Sequence, residues 1–175
     1  MKIFVGSSSH NDIPQKYLKN NYLKKILKGN DLVFGASKDG LMGQTYNIAK
    51  ENNKKVIASL PKFYNESLEG LDCTETFITN TMPESTIKAI NSCDIILFIP
   101  GGLGTLYEIF FSIQTKICHE HNKPIIIYNY LHFYDDIIKQ LNKMLKENFI
   151  KQKDTELYHI SNNINDVLSY LKEIK

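Results

Sequence analysis

The sequence has no arginine: all 21 of its basic residues are lysines. A guanidinium fork is therefore excluded. Any phosphate or carboxylate held by this chain must be gripped by lysine, by hydroxyls or by backbone N–H groups. Cysteine is scarce as well. Cys73, Cys93 and Cys118 are odd in number and scattered, which speaks against a disulfide framework or a zinc site and fits free thiols in a reducing cytoplasm. No apolar run approaches membrane-spanning length, and Met1-Lys-Ile-Phe-Val5 reads as a strand with no signal-peptide core behind it. Charge of neither sign is concentrated: 21 basic and 19 acidic side chains leave a net charge of +2, which implies no nucleic-acid surface. Repeats, linkers and low-complexity tracts are missing too. With 42% apolar and 23% charged residues, the 175-residue chain suits one globular domain spanning 1–175.

What is present is organised around Ile95 to Glu108. Ile95-Ile-Leu-Phe-Ile99 is an apolar run that reads as a strand buried on both faces. Pro100 ends it, and Gly101, Gly102 and Gly104 allow a tight turn. Leu106, Ile109, Phe110 and Ile113 then fall on one helical face. Strand, glycine turn and helix aim free N–H groups and the positive end of a helix dipole at whatever fills the turn, which favours a phosphate. Glu108 stands one helical turn away, electrostatically awkward beside an anion site. Its structural alternative is an ordinary acidic residue stabilising a helix start.

Other segments repeat the alternation. Lys2 to Gly6 is a strand leading into Ser7-Ser-Ser9, hydroxyls suited to a polar ligand or to turn chemistry. Pro14 opens a helix that the pattern extends through Leu27. Asp31 to Gly35 is a second strand, followed by a loop and a helix beginning near Gly40-Leu-Met-Gly43. Lys54 to Pro61 is a third. Lys62 to Thr76 reads as an irregular surface excursion. Phe77 to Thr79 is extended and leads to a helix on which Thr81 and Glu84 fit a capping box, as likely a role for Glu84 as any functional one. Lys123 to Tyr128 is a fifth strand, followed by a helix from about Tyr134, a short edge strand at Tyr158-His-Ile160 and a final helix over 164–174. His119 and His121 read as solvated residues at a helix end. The expected fold is α/β: a Rossmann-like three-layer αβα arrangement with a central parallel sheet. Gly6–Ser9, Gly35–Gly43, Thr79–Glu84 and Pro100–Glu108 should all gather at the carboxyl ends of its strands. A dehydrogenase is disfavoured, because the first strand leads to Gly-Ser-Ser-Ser and not to a GxGxxG turn.

Pro100-Gly-Gly-Leu-Gly-Thr-Leu-Tyr-Glu108 matches PGGxGTxxE in full, and Gly40-Leu-Met-Gly43 matches the end of GGxxxGLMG, with Gly35-Ala36 in place of its double glycine. On these motifs the chain resembles the LOG (Lonely Guy) family, also labelled "possible lysine decarboxylase", over nearly its whole length. The resemblance implies a homodimer that hydrolyses the N-glycosidic bond of a nucleoside 5′-monophosphate, giving free base and ribose 5-phosphate without metal or cofactor. No pyridoxal-phosphate lysine motif supports the decarboxylase label. Glu108 would stabilise positive charge growing on the sugar or activate water, with Glu84 contacting ribose hydroxyls or water. Gly101 to Thr105 would grip the phosphate, and Gly6, Ser7, Ser8, Gly35, Gly40, Met42, Gly43 and Met82 would line the site. The chain departs from the family at one place. Where the family usually reads M-H-E-R-K, this chain reads Met82-Pro-Glu-Ser-Thr86, so Ser85 replaces an arginine. Lys88, or Lys38 in the second glycine loop, is the expected substitute cation. The alternative is a protein that binds or senses nucleotides without cleaving them. The apolar residues Ile109, Phe110, Phe111 and Ile113 extend round more than one helical face and are expected to pair with a second copy.

Overall fold

β1 (Lys2–Gly6) has four of its five residues buried, alternating between the two sides of a sheet. Ile3 and Val5 face one core, and Phe4 faces the other. β5 (Ile95–Phe98) does the same with Ile95 and Leu97 against Ile96 and Phe98. Such strands suit only the middle of a parallel sheet covered on both sides. A computed structural model describes residues 1–19 and 21–174. It shows seven parallel strands in the order β4-β3-β2-β1-β5-β6-β7, the others being β2 (Asp31–Phe34), β3 (Val56–Pro61), β4 (Glu75–Thr79), β6 (Ile125–Tyr128) and β7 (His159–Ser161).

Helices α2 (Tyr22–Leu27), α3 (Gly40–Glu51) and α8 (Ile164–Glu173) cover one face. Helices α4 (Met82–Ser92), α5 (Leu103–Ile117) and α6 (Asp135–Lys146) cover the other. The short α1 (Gln15–Leu18) and α7 (Gln152–Thr155) complete the set. The αβα architecture is as the sequence predicts. None of the described helices is long and apolar enough to cross a membrane.

Three local readings change. The helix expected from Pro14 to Leu27 is two, α1 and α2, separated at Lys19–Asn21, with Asn20 outside the described residues. The excursion after β3 contains a 3₁₀ segment, Lys62–Leu68, which folds back toward the sheet's carboxyl edge. On α5, Ile109 and Ile113 are committed to the chain's own core. Of the four residues expected to pair with a second copy, only Phe110 is exposed, at 41%, so that surplus face is narrower than the sequence suggests.

The strand order reverses direction at β1. One half of the chain builds outward through β2, β3 and β4, and the other through β5, β6 and β7. A crevice opens at such a switch point, beyond the carboxyl ends of the strands. Gly6 ends β1 there, and the Pro100–Gly102 turn follows β5 beside it.

Candidate functional site

A cavity of about 500 Å³ occupies this crevice. Its walls come from four strand ends: the Ser7–His10 loop after β1, Gly35 to Ser37 after β2, the end of β3 with the 3₁₀ segment, and the first turn of α5. Met82 and Ser85 of α4 and Met42 of α3 close the sides.

The loops are laced to one another. The Ser8 N–H donates to Pro100 O at 3.2 Å, and the Met42 N–H donates to Ser8 O at 2.9 Å. Asn11 receives the Gly40 N–H on Oδ1 at 2.8 Å and donates from Nδ2 to Asp39 Oδ1 at 2.6 Å. Gly40 and Gly43 serve this packing and do not line the cavity, which corrects the expectation from sequence. A side chain at Gly40 would strike Ser8 and His10 backbone, and one at Gly43 would strike the Lys38 carbonyl.

At the start of α5 the Leu106 N–H bonds back to Gly102 O, while no side chain caps the helix. The N–H groups ahead of it are the orphan donors of a helix N-terminus. Gly102, Leu103, Gly104 and Thr105 carry them into the cavity wall. A β-carbon on Gly102 or Gly104 would meet nothing within 4 Å, so the space over these two residues is cavity. Gly101 is different. It is buried against Thr105, whose side chain occupies the place a Cβ would need. Of the expected phosphate-binding residues, Gly102, Gly104 and Thr105 line the site, and Gly101 supports them from behind. The Ser7 hydroxyl, on a residue only 4% exposed, also lines the cavity and has no hydrogen-bond partner among the described residues. Such a buried unpaired hydroxyl is costly unless a ligand or water satisfies it.

Glu108 projects into the same space. Among the described residues its carboxylate accepts no hydrogen bond and pairs with no cation. Burial alone therefore pushes its pKa up to about 8, since a low-dielectric wall disfavours the charged form. The resulting arrangement is a set of anion-seeking N–H groups and a lone carboxyl group in one pocket. It can hold a phosphate at one end and supply a proton acceptor, or a negative charge, a few ångströms further in.

The cation expected to replace the family arginine is not in the cavity. Lys88 lies outside, with its ammonium 4.2 Å from the centre of the Phe77 ring, and exposed Lys38 is not part of the lining. His10 is the one described lining residue that can carry positive charge. Ser85 is buried in the cavity wall, where the Ser59 hydroxyl donates to its carbonyl at 2.9 Å and lies 3.4 Å from its Oγ. Glu84 is likewise displaced from its expected catalytic place. It is exposed, its Oε2 accepts the Asn80 N–H at 2.8 Å, and its own N–H donates to Thr81 Oγ1. That is helix capping, and the outcome follows from position: a residue three past the cap is drawn back to the helix start.

Sequence reasoning missed Ser37, Ser59, Tyr64 and Ser67, all lining residues. Ser59 had a usable signal, a lone hydroxyl in the apolar run of β3. Tyr64 and Ser67 had none, because a 3₁₀ segment has no long periodicity to betray which side faces the sheet. His121 is also not simply solvated. It is partly buried, and its Nε2 lies 2.9 Å from Ser112 O. No group of three or more His, Cys, Asp or Glu residues suited to a metal ion occurs among the described residues.

Comparison with known proteins identifies relatives of the chain. The chain is 25% identical over 173 residues to the cytokinin riboside 5′-monophosphate phosphoribohydrolase LOG2 of Arabidopsis thaliana, a match covering 98% of this chain and 81% of that one. It is 26% identical over 144 residues to the probable enzyme of that name, LOG4, of Oryza sativa subsp. japonica, covering 82% of this chain and 63% of the rice protein. The chain thus spans less than two thirds of the rice relative. Among solved structures, the molybdenum cofactor carrier protein of Chlamydomonas reinhardtii superposes with a TM-score of 0.66 at 17% identity, over 99% of this chain and 96% of that one. The molybdenum cofactor binding protein of Rippkaea orientalis gives 0.66 at 18%, over 99% and 94%. At these identities the structures share the fold alone. The family model described as "possible lysine decarboxylase" matches residues 42–171, and with most of its length matched the chain belongs to this family, the LOG family.

Proposed function

We propose that this protein hydrolyses the N-glycosidic bond of a nucleoside 5′-monophosphate, releasing free base and ribose 5-phosphate. The observation that carries the reading is the placing of the lone Glu108 carboxyl group and the open N-terminus of α5 in one cavity. The phosphate would sit on the N–H groups of residues 102–105, with the Ser7 hydroxyl as a further donor. Glu108 would then face the sugar. As the C1′–N bond lengthens, positive charge grows on the sugar, and an ionised carboxylate stabilises it or takes the proton of the attacking water. The activity for which these relatives are named, on cytokinin riboside 5′-monophosphates, supports the reaction class. As part of the same proposal, the protein works as a homodimer paired through the exposed flank of α5 around Phe110. Light scattering at micromolar concentration would show twice the monomer mass.

The test is direct: pure protein is incubated with a panel of nucleoside monophosphates and assayed for free base and ribose 5-phosphate. Release from at least one is expected, with Glu108→Gln abolishing it. A second reading, a nucleotide-binding protein that does not cleave, is favoured by one observation, the cation-free wall at Ser85. Tight nucleotide binding with no product from any member of the panel would establish it.

A further inference from the structure

Among the described residues Glu108 pairs with no cation, and His10 is the one lining residue of its cavity that can carry positive charge. The family's arginine is gone at Ser85, Ser59 and Ser85 fill the wall with neutral hydroxyls, and the nearby lysines point elsewhere. Glu84, expected to contact the ribose hydroxyls or water, caps α4 outside the cavity, so no second carboxyl group stands beside Glu108 in the lining. Departure of an ordinary neutral base is speeded by both a cation that keeps Glu108 ionised and an acid that protonates the leaving nitrogen. Tyr64 also lines the cavity; it is 55% exposed, and its ring is tilted against that of Phe63 with the centroids 4.6 Å apart. An aromatic face and an unpaired carboxylate in one cavity are the recognition elements for a flat organic cation.

We infer that the preferred substrate is a 5′-phosphorylated nucleotide whose base carries a fixed positive charge, of the ribosyl-pyridinium or N7-alkylated purine class. This inference rests on the phosphoribohydrolase reading above. The ligand brings a permanent cation to a cavity whose lining offers only His10. Its charge lies in the ring whose nitrogen is bonded to C1′, so a carboxylate placed to stabilise charge at C1′ also faces the base. The chemistry then needs no acid. The C1′–N bond breaks with its electron pair going to the ring nitrogen, which becomes neutral. Water forms the new C1′–O bond, and its proton passes to Glu108 and on to solvent. The other titratable groups around Glu108 are Tyr107 on its own helix, Tyr134 and, from the β1 loop, His10. Desolvation shifts both tyrosines upward, so neither carries charge at neutral pH, and a protonated His10 is the one lining group that would compete with the ligand for the carboxylate.

The test compares nicotinamide mononucleotide with its dihydro form, which has nearly the same shape and no ring charge. Calorimetry on the full chain should show the oxidised form binding at least about tenfold more tightly. Glu108→Gln should collapse the preference to less than about twofold, and Tyr64→Leu, which keeps the carboxylate, should reduce it by an intermediate factor. Nicotinamide release should also exceed adenine release from AMP. Equal affinity for the two forms, or failure to bind either, overturns the inference. If AMP is cleaved in that case, the hydrolase reading stands without it. A charge preference that persists while no nucleotide yields ribose 5-phosphate upholds the recognition and removes the hydrolase.

Discussion

The Glu108 carboxylate lies directly against the α-carbon of Gly6: a β-carbon there would come within 2.8 Å of Oε2 and would also strike the Phe98 ring. The end of β1 thus sets how deep the carboxylate can sit. Gly6→Ala should displace both side chains, destabilise the fold by about 1–3 kcal/mol as overpacking does, and lower kcat/KM at least tenfold. Denaturant titration and steady-state kinetics on the same sample check both.

Protonation of Glu108 makes a second prediction. Its folded pKa, about 8, is raised above the ordinary 4.5, so the folded state holds its proton where the unfolded chain has lost it. The stability this contributes is full below about pH 4.5 and disappears as pH rises to about 8. Glu108→Gln should therefore flatten stability across that window and stabilise the protein at pH 9 by ~1–3 kcal/mol, a range reduced because the cavity is open to water. Activity should run the other way. For a neutral nucleotide, kcat/KM should climb with pH and level off near pH 8, as the free enzyme's carboxyl group ionises.

The sequence is most legible where chemistry and periodicity coincide. Ile95 to Glu108 announces a strand, a glycine turn and a helix because each residue type there has a single local use, and the structure has all three. At Glu84 two uses were open from sequence, cap and catalyst, and only the path of α4 decides between them. Ser59 and Ser85 form their pair from elements far apart in the chain, and no local pattern records such a meeting. The same holds for Tyr64, whose segment carries no repeat that could reveal its inner side.

Gly102 separates ligand contact from folding. Its backbone lies in a region open to any residue, and a β-carbon would meet no protein atom within 4 Å. Gly102→Ala should change stability by no more than about 0.5 kcal/mol while raising KM several-fold, because the new methyl group enters the space assigned to phosphate. Gly101→Ala, which must displace Thr105, should instead lower the melting temperature by several degrees. Thermal denaturation alongside kinetics distinguishes the two.

Ser85→Arg would put back the missing charge. Placed in the wall shared with Glu108, a guanidinium should favour the ionised carboxylate and move the alkaline rise of kcat/KM down by at least about 1 pH unit. Turnover of neutral nucleotides should increase, and any preference for cationic ones should fall, because two positive charges would then compete for one carboxylate. A pH–rate profile of the variant on AMP and on nicotinamide mononucleotide tests both effects. An unchanged profile would mean that the side chain swings out to solvent.

The hydrogen bonds joining Ser8 to Pro100 and to Met42, and Asn11 to Gly40 and Asp39, make a single mechanical part of three loops that are distant in sequence. None can swing aside as a lid without breaking its ties to the others. A ligand arriving here meets a mould already set, and little of its binding energy is spent on stiffening these walls. Adaptation to ligands of different size is left to the walls outside the lacing, among them the 3₁₀ segment that carries Tyr64.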